Sequence, residues 1–178
     1  MTLTKNENSD TFDQEKFREI VHFFIHKTSG IPNVGKTVLY KLHYFSDFDY
    51  YEINEIKMTN ERYSKIEHGP APRHFNQIVD ELIADNKIEQ KTMDYFGHMQ
   101  IRYCSLREPE LTHLNATELR HLENTLCKYS TMNATQIEAL SHKDLPWQAT
   151  EQNEDINYDL VFYRDPEMSV RDYPNDGD

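Results

Sequence analysis

Phe17, Ile20, Val21 and Phe24 recur at intervals of three and four, the spacing that stacks side chains on one face of a helix, and predict a first helix over about 12–28. Thr11 and Gln14 have the spacing of a capping box at its start. Gly30 is read as a left-handed stop, and Pro32 cannot continue the hydrogen-bond ladder. A second helix is predicted over about 34–54, with Val38, Leu39, Leu42, Phe45 and Phe48 as its apolar stripe. Tyr40, Tyr44, Tyr50 and Tyr51 widen that stripe around the cylinder, so this helix is expected at the centre.

After the polar break KMTNE (57–61), a short extended piece over about 62–67 is expected to end at the Gly-Pro-Ala-Pro run, 69–72, since proline disfavours helix in the residue before it. A third helix follows over about 73–86, with Phe75, Ile78, Val79, Leu82 and Ile83 on one face. From Ile88 to Cys104 the period shortens to two. Met99, Ile101 and Tyr103 alternate with polar residues, and Gly97 sits where a β-hairpin would turn.

Asn115 with Glu118, and Asn133 with Gln136, match N-cap and N3 positions and mark helices over about 116–130 and 134–143. Leu114 and Met132 precede those caps and are placed to staple onto Leu119 and Ile137. SHKDLPW (141–147) ends the second of these helices, and the apolar segment 156–163 has no assigned structure. Residues 1–10 read as a disordered lead, 11–163 as one domain and 164–178 as a flexible acidic tail. The fold class is mainly α with a small β-hairpin (α+β). The order helix, helix, short strand, helix, hairpin suggests a winged-helix-like core with additional C-terminal helices.

Composition narrows the functions open to such a core. The formal net charge of −12 is spread along the chain, so the mean surface field repels phosphate backbones and attracts basic partners. With 37% hydrophobic and 12% aromatic residues, the interior must rely on large rings. Cys104 and Cys127 form no CxxC pair, which fits a reducing compartment, and both are read as packing thiols. The polar start, MTLTKNENSD, and the absence of a long apolar run place the chain in the cytosol, without a membrane partner.

The sharpest chemical pattern is GIPNVGKT (30–37), which satisfies the phosphate-loop formula. A phosphate loop needs a buried strand before it, whereas Arg18, Glu19 and His22 interleave with the apolar residues at helical spacing. The nearest guanine-reading string, NKIE at 86–89, also precedes the only DxxG, Asp94 to Gly97, in the wrong order. GKT is therefore read as the opening turn of the second helix. His22 and His26 lie four apart but lack a third metal ligand, and no GxSxG elbow or distinct carboxylate pair appears. No catalytic residue, cofactor or metal is expected.

DNA binding would use the third helix, where Arg73 stands against Asp80, Glu81 and Asp85. The hairpin sets Lys87, Lys91 and Arg102 against Glu89 and Asp94. Neither is a phosphate-facing surface, so nucleic acid is disfavoured as a partner.

Several ordered strings carry a family resemblance. KLHYFSDFDYYE (41–52), Tyr63 and Lys65, HGPAPRHFNQIVDELIADN (68–86) and SHKDLPW (141–147) together resemble the Panacea domain, a phage-associated family of antitoxins, over about residues 12–150. Two positions depart from its pattern: His43 where the family usually has an apolar residue, and His68 where an aromatic is common. The resemblance implies a predominantly helical domain that neutralises a cognate toxin by direct complex formation. It also implies that GKT opens a helix.

Some members look like adaptors that deliver a toxin to a protease, so blocking and delivery both stay open, as does a winged-helix autorepressor. Beside the Gly-Pro corner, His68, Pro72, Arg73, His74 and Gln77 are expected as exposed partner contacts. Trp147 is expected as an anchor, because Trp is enriched among binding hot spots.

Overall fold

A computed structural model describes residues 11–174; the expected lead over 1–10 lies outside the described residues. Helices α1 (Gln14–Thr28) and α2 (Lys36–Asn54) form where the periodicity places them. The cap of α1 is Asp13 rather than Thr11: its carboxylate accepts the Lys16 N–H at 3.0 Å, filling a donor that the first turn leaves open. The end of α1 also differs from expectation, since among the described glycines only Gly69 and Gly97 have positive φ. Instead of a left-handed Gly30, the Thr28 and Ser29 hydroxyls donate to the Phe24 and Ile25 carbonyls at 2.7 Å.

Helix α2 is central, and the core around it is aromatic. Phe48 stacks on Tyr158 with centroids 4.2 Å apart, and Phe45 stacks on Tyr129 at 4.5 Å. Each fully buried ring contributes roughly 1.5–3 kcal/mol by leaving water. His43, the first departure from the family pattern, lies among the rings of Phe17, Phe24 and Phe75. Burial lowers its imidazole to about 4, so it packs as a neutral ring with Nδ1 donating to the Leu39 carbonyl at 2.7 Å.

The extended piece continues through the prolines. Strand β1 (Tyr63–Ile66) pairs antiparallel with β2 (Gly69–Pro72), with Lys65 opposite Pro70 and Tyr63 opposite Pro72. A proline cannot donate to a ladder, so both must occupy positions whose nitrogens face away from β1. Consistent with that, Tyr63 and Lys65 turn their backbones to the other edge. There the Lys65 N–H donates to the Glu154 carbonyl at 3.0 Å, and the Ile156 N–H donates to that of Tyr63 at 2.8 Å.

Helix α3 (Phe75–Ala84) leads into a second hairpin, β3 (Ile88–Tyr95) and β4 (His98–Ser105). The two hairpins are separate two-stranded sheets. The joint sheet that a winged helix builds from its first strand and its wing is therefore not formed, because both edges of β1 are already occupied.

The two-residue turn between β3 and β4 has Phe96 at φ 50° and Gly97 at φ 81°. Two positive φ values match the twist of paired strands, but the first position favours Asn or Gly; a bulky side chain there costs about 1–2 kcal/mol. Phe96→Asn is expected to raise unfolding stability by about 1 kcal/mol in urea titration, with the hairpin unchanged.

Helices α4 (Ala116–Tyr129) and α5 (Ala134–His142) carry the expected caps: Asn115 accepts from Glu118 N–H, and Asn133 and Gln136 form a complete capping box. A short α6 (Leu145–Gln148) and a 3-10 helix (Tyr158–Tyr163) follow. The flexible tail does not begin at 164. Arg164 is buried, and Ser169, Val170, Arg171 and Tyr173 all hydrogen-bond to Glu52. Residues 175–178 lie outside the described residues.

Candidate functional site

The strings of the family pattern meet at one corner. Gly69, at φ 108°, lets β2 press onto α2 and α5: a Cβ there would lie 2.8 Å from Lys41 Cε and 2.8 Å from Ser141 Oγ. Lys41 is 1% exposed, and burial lowers its ammonium to about 8 against the attraction of Glu138. Trp147 stacks on His142 at 4.1 Å, and Lys65 Nζ lies 4.0 Å from the Trp147 ring centroid, a cation–π contact. His68 Nδ1 lies 3.3 Å from Glu138 Oε1. Burial, together with repulsion from Lys41, Lys65 and His68, lowers the pKa of His142 despite Glu138. The corner thus gathers two lysines, two histidines, one carboxylate and one indole, with Lys41 buried beneath the surface.

Because Gly69 has both a left-handed backbone and no free space, Gly69→Ala is expected to destabilise the fold by about 2 kcal/mol, read from the urea midpoint.

The expected contact residues separate into two groups. His68 and Trp147 lie around α5, the first exposed and the second half-buried. Arg73, His74 and Gln77 sit at the far end of β2 and the start of α3. Arg73 Nε donates to Asp155 Oδ1 at 2.6 Å, and Gln77 Nε2 to Glu81 Oε1 at 3.3 Å.

His74 is the N-cap of α3; its N–H and Nδ1 meet the fully buried Glu61 at 2.9 and 2.6 Å, and Phe12 stacks on its ring. Pro72 is buried, not exposed, because it faces the core beside Tyr63 in the β1–β2 ladder. It is a packing residue.

The acids inside the strings are the functional-site residues that periodicity and motif do not single out. Asp47, Asp49 and Glu52 of α2 and Asp144 before α6 are all buried. Tyr63 and Thr59 donate to Asp47 Oδ2 at 2.5 and 2.9 Å. Arg164 reaches Asp49, Glu52 and Asp144 at 2.9, 3.0 and 2.8 Å, while Tyr44 donates to Asp144 and Tyr129 to Asp49 at 2.7 Å. The available signal was carboxylates embedded in a helix aromatic on every side, since buried acids demand partners.

The remaining motifs have structural explanations. The segment before GIPNVGKT lies in α1, and GKT opens α2 as expected. Its glycine, Gly35, is required by close approach: a Cβ would lie 2.6 Å from Gln100 Cγ and 3.0 Å from the Ile101 carbonyl oxygen. His22 and His26 share the Ser105 hydroxyl at 3.0 and 3.1 Å. Cys127 is exposed rather than packed. Among the described residues no helix is long and apolar enough to cross a membrane.

A family model described as antitoxin SocA-like, Panacea domain, matches residues 39–148. No curated protein and no solved structure matches the chain.

Proposed function

The chain belongs to the SocA-like antitoxin family with the Panacea domain, and on that premise we propose that it neutralises a cognate toxin by forming a direct complex with it in the cytosol. The observation that carries this reading is the family match over 39–148, the stretch that contributes Lys41, Gly69, His142 and Trp147 to one corner. The protein acts by contact and not by catalysis. Its charge of −12 favours a basic partner, drawn in by long-range attraction.

Co-expression with the product of the adjacent reading frame tests this. Growth should be restored and the two proteins should elute together. Absence of both rescue and co-purification would overturn the proposal. Unchanged toxin levels in rescued cells mark blocking, whereas loss of the toxin marks delivery to a protease.

A further inference from the structure

A second surface lies away from the Gly-Pro corner. A cleft of about 620 Å³ opens between the tip of the β3–β4 hairpin and the first turns of α2 and α5. Its upper lip is the hairpin turn, where Phe96 is 87% and Met99 74% exposed. Solitary exposed apolar residues are ordinary, but these two are adjacent on one tip, and Phe96 is held there in a backbone conformation that favours Asn or Gly. The Phe96 ring meets the Tyr95 ring edge-on, with centroids 4.8 Å apart, yet it stays largely in solvent, so the burial it gains in the fold is small for the backbone cost of the position.

The floor of the cleft has the opposite electrostatic character from the protein as a whole. The chain carries 31 acidic residues, yet none lines the cleft; its ionisable lining groups are Lys36, His98, Tyr40 and Tyr95. Lys36 makes no salt bridge among the described residues. Its ammonium lies 5.7 Å from the Tyr40 ring centroid, and Asp80 on α3 attracts it from beyond salt-bridge range. Beside it Gly35 opens α2 without a side-chain cap, and Thr37 and Val38 of the same first turn line the cleft. Apolar side chains at the lip and positive charge at the floor complement a segment that carries both apolar groups and a carboxylate.

We propose that this cleft seats an acidic-apolar segment of the toxin, with its apolar side chains against Phe96 and Met99 and a carboxylate at Lys36 and the start of α2. The proposal rests on the reading of the chain as a toxin-binding antitoxin and adds where, and by what chemistry, the toxin is held.

Phe96→Asn makes a discriminating variant, because it relieves the turn while removing the ring, so lost affinity cannot be blamed on lost fold. Binding of the purified product of the adjacent reading frame is measured by calorimetry for the full-length parent, Phe96→Asn and Lys36→Glu. At least tenfold weaker binding is expected for each variant, with unfolding midpoints equal to or above that of the parent. Full affinity in both variants beside a parent that binds would overturn the cleft and leave the antitoxin reading intact. Full affinity in Lys36→Glu alone would overturn the carboxylate. A parent that neither binds nor rescues would remove the reading itself, and the cleft proposal with it.

Discussion

Arg164→Met should lower unfolding stability by about 3–5 kcal/mol, because it strands buried carboxylates that share one guanidinium. The Arg164 side chain is 1% exposed; it forks onto Asp144 through Nε and Nη2 at 2.8 Å and reaches Asp49 and Glu52 through Nη1. Burial raises Asp49 even with the arginine present, so removing the cation drives it further toward protonation. Burial would also raise Glu52, but hydrogen bonds from Ser169, Val170 and Arg164 leave it below its ordinary value.

Arg164→Lys should recover only part of the loss, since an ammonium cannot reproduce the planar fork. Urea titration of both variants reads this directly. An unchanged midpoint for Arg164→Met would show that the network contributes nothing net. A large loss would also show that the C-terminal segment, far from being a tail, closes the fold onto α2 and α6.

Asp47→Asn is expected to do the opposite at neutral pH, stabilising the protein by on the order of 1–2 kcal/mol, the relief of a buried charge less the cost of an amide N–H2 left unpaired where Oδ1 now stands. Burial pushes the Asp47 carboxyl up to about 7, only partly offset by the hydroxyls of Tyr63 and Thr59 and the Thr59 backbone, and its Oδ1 accepts no hydrogen bond within 3.5 Å among the described residues. The unfolded chain releases this proton near 3.8 and the folded chain near 7, so between those values the folded state binds more protons. The contribution of Asp47 to stability is therefore full at low pH, falls as pH rises through that window, and is flat above it.

His43 runs the other way. Its folded value of about 4 lies below 6.5, so its contribution is lost as pH falls through that interval. The readout is accordingly the difference between variant and parent: near zero or negative at pH 4, rising to a plateau above pH 7. A difference that stays constant across the range would show that Asp47 keeps its ordinary carboxylate value in the folded protein.

The family corner was legible in part. The strings around Lys41, Gly69 and Trp147 could be recognised as strings, but their meeting depends on β2 lying against α2 and α5, a contact between residues more than 25 and more than 70 positions apart. Pro72 stands beside the Gly-Pro corner and is expected among its exposed groups, whereas pairing with Tyr63 buries it. The polar composition of 164–178 predicts a flexible tail. Arg164 shows why composition fails there: a charged residue is buried when enough carboxylates surround it, and those come from distant positions.

By itself the sequence determined helices α1 to α5, two of their caps and the β3–β4 hairpin, because periodicity, capping and turn formation are short-range effects written into neighbouring residues. Only the tertiary structure decided the pairing of the proline strand, the burial of Asp47, Asp49, Glu52 and Asp144 around α2, and the acid-free cleft under Phe96. Each of these depends on which distant groups exclude water from a site, and exclusion of water is a property of packing rather than of any local stretch of chain.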